Sequence, residues 1–163
     1  MNNKNKITKL ILILTALLAF FLDRISKMLI VNNFSYEMEK TIIKNFFSII
    51  YVKNTGAAWS LFEGKQTLLI IISIIFLVFL ISFIIKEKPD KIDNLTYGLI
   101  IGGIIGNLYD RITLNYVIDF IAFNIFGYEF PVFNLADSFI VIGVIILIIN
   151  LIRSEKNDRG WRR

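Results

Sequence analysis

The sequence predicts an all-α membrane protein with a small extracytoplasmic β element: four transmembrane helices, with the N- and C-termini both cytoplasmic. Three observations predict it. Hydrophobic residues make up 56% of the 163-residue chain, and the mean hydropathy is +0.67, too apolar for a soluble domain of this size. The apolar residues fall in four blocks, about 7–30, 66–85, 95–112 and 135–152, each close to the roughly 20 residues that a bilayer core requires of a helix. The segments between them differ in their Lys and Arg content, which sets orientation.

The first block follows Lys4, Lys6 and Lys9 as a signal peptide would, but no small-residue cleavage site comes after it. Instead "FLDRISKMLIV" continues the helix. The second block is apolar apart from Gln66, Thr67, Ser73 and Ser82. The third carries Gly98, Gly102, Gly103, Gly106 and Asn107, small residues of the kind that let membrane helices approach closely. The fourth opens at "NLADSF", so Asp137 stands in its first turn. A carboxylate at that depth is disfavoured in lipid and raises the question of function.

Orientation follows from the flanks. Lys4, Lys6 and Lys9 at the N-terminus, Lys86, Lys88 and Lys91 in "KEKPDK", and Arg153, Lys156, Arg159, Arg162 and Arg163 in the tail belong on the cytoplasmic side. Segments 31–65 and 113–134 then face outward, and residues 1–163 form a single integral membrane domain. The net charge of +5 reads as topology and contact with anionic membrane lipids. It gives no basic patch for nucleic acid. Cysteine and histidine are both absent, which excludes disulfides, thiol nucleophiles, histidine-based triads and the usual zinc or haem sites. No cofactor or metal is expected, and acid–base chemistry falls to carboxylates, lysine or tyrosine.

With this topology the polar residues gather near the outer surface: Asp23, Arg24 and Lys27 on the first helix, Asn107, Asp110 and Arg111 on the third, and Asp137 on the fourth. Asp23 and Lys27 are four apart with the acid first, the favourable order for a pair on one helix face; the plain alternative is an ion pair snorkelling to the interface. Asn107 and Arg111 share a face in the same way, while Asp110 points elsewhere, toward a neighbouring cation or water. Gly98, Gly102 and Gly106 form a packing stripe. Ser26 beside Lys27 suggests a Ser–Lys pair, but adjacent helix positions point about 100° apart. A transporter needs a polar path across the membrane, and these residues cluster at one end.

The outer loops alternate. "SIIYVKN" and "NYVIDFIAFNIFGYEFPVFN" suggest short strands and a turn at Gly127. Asp119 lies in the second, between Ile118 and Phe120; taken singly, it is expected to face solvent. If the loop folds back so that Asp119 faces Asp137, 18 residues on, both cannot ionise cheaply and the pair shares a proton. That is an aspartic-protease arrangement. Asn134 occupies an N-cap position for the fourth helix, favouring negative charge on Asp137 and leaving the proton more often on Asp119.

The segments "NTGAAWS" (54–60), "GGIIGNLYDR" (102–111), "YVIDFI" (116–121) and "FNLADS" (133–138), in this order among four spans, closely resemble the lipoprotein signal peptidases, also called signal peptidase II. The resemblance implies removal of the signal peptide from diacylglyceryl-modified bacterial prolipoproteins at the outer face of the cytoplasmic membrane, by a multi-pass enzyme expected to be monomeric. It makes Asp119 and Asp137 the catalytic pair. Asn54, Gly56, Asn107, Arg111 and Asn134 match other motif positions and are expected to hold the pair and the substrate backbone, with Asp23 and Lys27 supporting the site. The loop 54–62, with Trp59 and Phe62 as interfacial anchors, is expected to act as a lid. Two positions depart from the family pattern: Asn115 stands where glycine is usual and Trp59 where phenylalanine is common. Asn tolerates the left-handed backbone that glycine would supply.

Overall fold

The computed structural model describes residues 3–87 and 89–160. Lys88, Arg162 and Arg163, counted above among the flanking cations, lie outside the described residues. The elements run α1 (Asn3–Asn33), β1 (Glu39–Ile43), β2 (Phe47–Asn54), a 3-10 turn at Ala58–Ser60, α2 (Gln66–Glu87), α3 (Lys91–Leu114), β3 (Val117–Ile125), β4 (Tyr128–Glu129) and α4 (Leu135–Gly160). The protein is mostly helical, with one small antiparallel sheet in the order β1-β2-β3-β4. Gln66–Glu87 and Leu135–Arg153 are long and apolar enough to cross a membrane by length and composition. Charged residues interrupt α1, and glycines and asparagines dilute α3.

α3 begins at an Asp90 cap, whose side chain accepts the Asp93 amide at 2.9 Å. It ends at Asn115, which takes the left-handed conformation at φ 63° while its amide donates to the Arg111 carbonyl. Asn here does what glycine would do, as the sequence led us to expect. Between these ends α3 is the central helix, packed against α1, α2 and α4. Its glycines permit this. A Cβ at Gly102 would lie 2.4 Å from the Ala16 carbonyl oxygen of α1, and one at Gly103 would lie 2.5 Å from the Ala136 carbonyl oxygen of α4. Ile100, Ile101, Ile104 and Tyr97 of α3 join Leu80 of α2 in the helical core, while the remaining faces of α1, α2 and α4 present rows of exposed Leu, Ile, Val and Phe.

The sheet is anchored at one end of this bundle. Tyr51, Ile118 and Phe120 pack with Ile30 near the end of α1. β2 and β3 coincide with the two alternating stretches, and their pairing sets Val52 opposite Asp119 and Asn54 opposite Val117. Phe126 and Gly127, both at positive φ, turn β3 into β4. β1 is exposed along its whole length.

Candidate active site

The chain approaches the site from three directions. β3 enters from the end of α3, β2 ends beside it at Asn54, and α4 starts from a stretch in which Phe133 bridges to Ile121. The Phe120 and Ile121 amides both donate to the Phe133 carbonyl, at 3.0 and 2.8 Å. This closes the 18-residue excursion and sets Asp119 next to the start of α4.

Asn134 caps α4 in a reciprocal box: its Oδ1 accepts the Asp137 amide at 3.0 Å, and Asp137 Oδ2 accepts the Asn134 amide at 3.2 Å. The Asn134 Nδ2 donates to Asp119 Oδ1 at 2.7 Å and to Asn107 Oδ1 at 3.1 Å. Asn107 Nδ2 in turn donates to Asp137 Oδ1 at 2.7 Å. On the far side, Asn54 Nδ2 donates to Asp119 Oδ2 at 2.7 Å, while its Oδ1 accepts the Gly56 amide at 2.8 Å. Three asparagines thus hold two carboxylates, and an amide can do this without adding charge.

Asp119 is only 2% exposed, which corrects the expectation that it faces solvent. Its strand is covered by β2 on one side and Asn134 on the other, so the pattern of its own neighbours did not decide its environment. Burial and then the Asp137 charge push its carboxyl from 3.8 up to about 7, against the Asn54 and Asn134 hydrogen bonds and the Lys27 charge, which favour ionisation. On that balance the Asp119 carboxyl holds its proton up to near neutral pH.

Arg111 lies beside the pair, close enough to feel both carboxylates, and its Nη2 donates to the Gly56 carbonyl at 3.2 Å. It thereby holds the loop that leaves Asn54. That loop is further tied by the Gln66 amide to the Thr55 carbonyl and by the Trp59 Nε1, which donates to the Tyr128 hydroxyl at 3.0 Å. Trp59 and Phe62 are exposed and both at positive φ, a conformation bulky side chains seldom adopt.

Behind the pair lies a second polar layer. Lys27 Nζ is 2.8 Å from Asp23 Oδ2 and 2.9 Å from Asp110 Oδ2, and it donates to Asn107 Oδ1 at 3.0 Å. Arg24 pairs with Asp110. Asp23, Lys27 and Asp110 are all 0% exposed. The Asp23–Lys27 pair therefore does not snorkel: α3 covers it, because Gly106 leaves room for the Asp23 carboxylate. Asp110 does meet cations, as expected, but it does so in the interior, where sequence spacing had placed it off the site. Ser26 Oγ donates to the Asp23 carbonyl and Lys27 is engaged elsewhere, so no Ser–Lys pair forms.

Apolar helices around a tightly held pair of carboxylates, one buried and one half-buried, point to a class, the helical membrane enzymes. Two solved structures, each described as a bacterial membrane enzyme structure by the in meso method, have this fold. One, at 2.3 Å resolution, is 38% identical and covers 90% of each chain with a TM-score of 0.83. The other, at 1.9 Å, is 39% identical and covers 86% of this chain and 91% of that one with a TM-score of 0.78. A family model described as Signal peptidase (SPase) II matches residues 15–153. The lipoprotein signal peptidase of Staphylococcus aureus (strain JH9) is 38% identical over 148 residues, 90% of this chain and 91% of that protein. The chain belongs to the signal peptidase II family.

Proposed function

We propose that this protein is an aspartic endopeptidase that removes the signal peptide from diacylglyceryl-modified prolipoproteins, with Asp119 and Asp137 as its catalytic pair. The observation that carries the reading is the joint hold of Asn134 on Asp119 Oδ1 and on the backbone and carboxylate of Asp137. Asp137, at the N-terminus of α4 where the helix dipole favours negative charge, is the ionised partner and takes a proton from a water molecule. The resulting hydroxide adds to the scissile carbonyl carbon. Asp119, holding the shared proton, donates it to the carbonyl oxygen; the tetrahedral intermediate then collapses as Asp137 passes its proton to the leaving nitrogen and Asp119 takes back the proton of an intermediate hydroxyl. Asn54, Gly56, Asn107, Arg111 and Asn134 hold the pair and the substrate backbone; Asp23 and Lys27 support them.

The substrate's lipid fixes the setting. All four helices span the bacterial cytoplasmic membrane as one domain, with both termini cytoplasmic, and the sheet and carboxylates lie near the extracytoplasmic face. Exposed apolar rows on α1, α2 and α4 and the Lys and Arg flanks support this placement. Membrane lipids surround a monomer. Residues 54–62 form the lid, latched by Trp59. Incubation with a diacylglyceryl-modified prolipoprotein, read by gel shift, should yield the shortened product, and the unmodified precursor should remain intact. Equal processing of both, or of neither, contradicts the reading.

A further inference from the structure

The second polar layer reaches both aspartates through the backbone amides of the residues that precede them. Asp110 Oδ2 accepts the Ile118 amide at 3.3 Å, one residue before Asp119. Asp23 Oδ1 accepts the Ala136 amide at 3.0 Å, one residue before Asp137. The two carboxylates come from different helices, α3 and α1, and Lys27 Nζ lies between them while also holding Asn107. We propose that Asp110 is a positioning residue for the reaction, one jaw of a buried clamp in which Asp110 and Asp23, drawn together by Lys27, set the separation of Asp119 and Asp137. This rests on the assignment of those two aspartates as the catalytic pair.

The chemistry of the cluster supports a fixed geometry. Two carboxylates, Lys27 and Arg24 balance in charge, and three of the four side chains are withdrawn from solvent altogether. Removing one member of such a set leaves an uncompensated buried charge, so the arrangement has little freedom to relax. Packing limits it further, since a Cβ at Gly106 would meet Asp23 Oδ2 at 2.6 Å. A displacement of a catalytic group by about 1 Å costs on the order of 10²-fold in rate, and both jaws act at one residue's remove.

The clamp also sets the field on Asp119. The charged groups facing it are Lys27 from α1, Arg111 from α3 and Asp137 from α4, with Asp110 held behind Lys27. Asn54 is its neutral partner from β2. Asp110→Asn leaves Lys27 less compensated and stabilises the ionised Asp119; Lys27→Met does the reverse. The alkaline limb of the kcat/KM profile, where the shared proton is lost, should therefore move to lower pH in Asp110→Asn and to higher pH in Lys27→Met.

The test uses the full chain in lipid–detergent micelles with a diacylglyceryl-modified prolipoprotein. Asp110→Asn should lower kcat by about 10²-fold with KM little changed, and the two variants should shift the limb in opposite directions. Parental kcat and an unmoved limb in folded Asp110→Asn overturn the proposal, as do shifts of the same sign. Should neither variant fold, Arg24→Gln carries the test, because Arg24 reaches partial exposure. It should lower kcat at parental KM, and a parental kcat overturns the clamp. Asp119→Asn, measured alongside, separates the two claims: if it cleaves normally the catalytic assignment fails, whereas an inactive Asp119→Asn beside a parental Asp110→Asn removes only the clamp.

Discussion

Every polar atom of Asn134 is engaged: its Nδ2 spans Asp119 and Asn107, its Oδ1 and backbone amide hold Asp137, and its carbonyl accepts from Ser138. Asn134→Ala should therefore lower stability by about 1 kcal/mol through the lost cap and reduce cleavage further through the released Asp119. Asn134→Asp keeps a cap but sets an oxygen against Asp119 Oδ1. Thermal unfolding should show its stability recovering as pH falls and this third carboxyl takes a proton; Asn134→Ala should show no such recovery. Asp119 itself gives a second pH signature. Its folded value of about 7 lies above its ordinary 3.8, so the folded state holds the proton longer, and this carboxyl lowers stability progressively from about pH 4 to pH 7. Asp119→Asn should consequently gain on the parent across that window, by about 2–4 °C in Tm for each kcal/mol, and a pH-independent difference contradicts it. The Asn134 cap was legible, because capping is local in sequence. The burial of Asp119 and the inward turn of Asp110 were not: both depend on partners brought in from another helix or strand.

α3 is the element on which the others are arranged. Its glycine stripe was readable as a packing surface, but which helix each glycine meets was not. Gly98 and Gly102 face α1, and Gly103 faces α4 at Ala136, next to Asp137. Gly102→Ala and Gly103→Ala should each cost about 1–3 kcal/mol, because backbone atoms must move to admit the methyl. Gly103→Ala should lose more cleavage for the same loss in Tm, since it displaces the first turn of α4. Equal activity at equal Tm would reduce Gly103 to simple packing. α2 and α4 were plain from continuous hydropathy, and β2 and β3 from alternation. β1 escaped notice because its Glu39-Lys40-Thr41 half is polar and its whole length is exposed, leaving no buried face to impose a pattern. The helices outrun the apolar blocks, as α1 does to Asn33, because backbone hydrogen bonding continues after hydropathy stops.

At the scale of the molecule, the gathering of polar side chains at one end of the bundle was the most telling feature of the sequence, and the family motifs lie along the same surface. The loop after Asn54 is the part in which a ligand should produce motion. Spin labels at Leu61 and Asn124 should report more than one separation without ligand and a narrowed distribution with a transition-state-like peptide; a single unchanged distance argues against a lid. The proposal that Asp119 and Asp137 are the catalytic pair is tested most directly by cleavage of a diacylglyceryl-modified prolipoprotein by Asp119→Asn, Asp137→Asn and the double variant, each checked for folding and membrane insertion. Each single variant should cleave slower by several orders of magnitude, and the double variant should lose little more, because the two carboxylates act as one unit. Near-parental cleavage by either folded single variant would contradict the assignment.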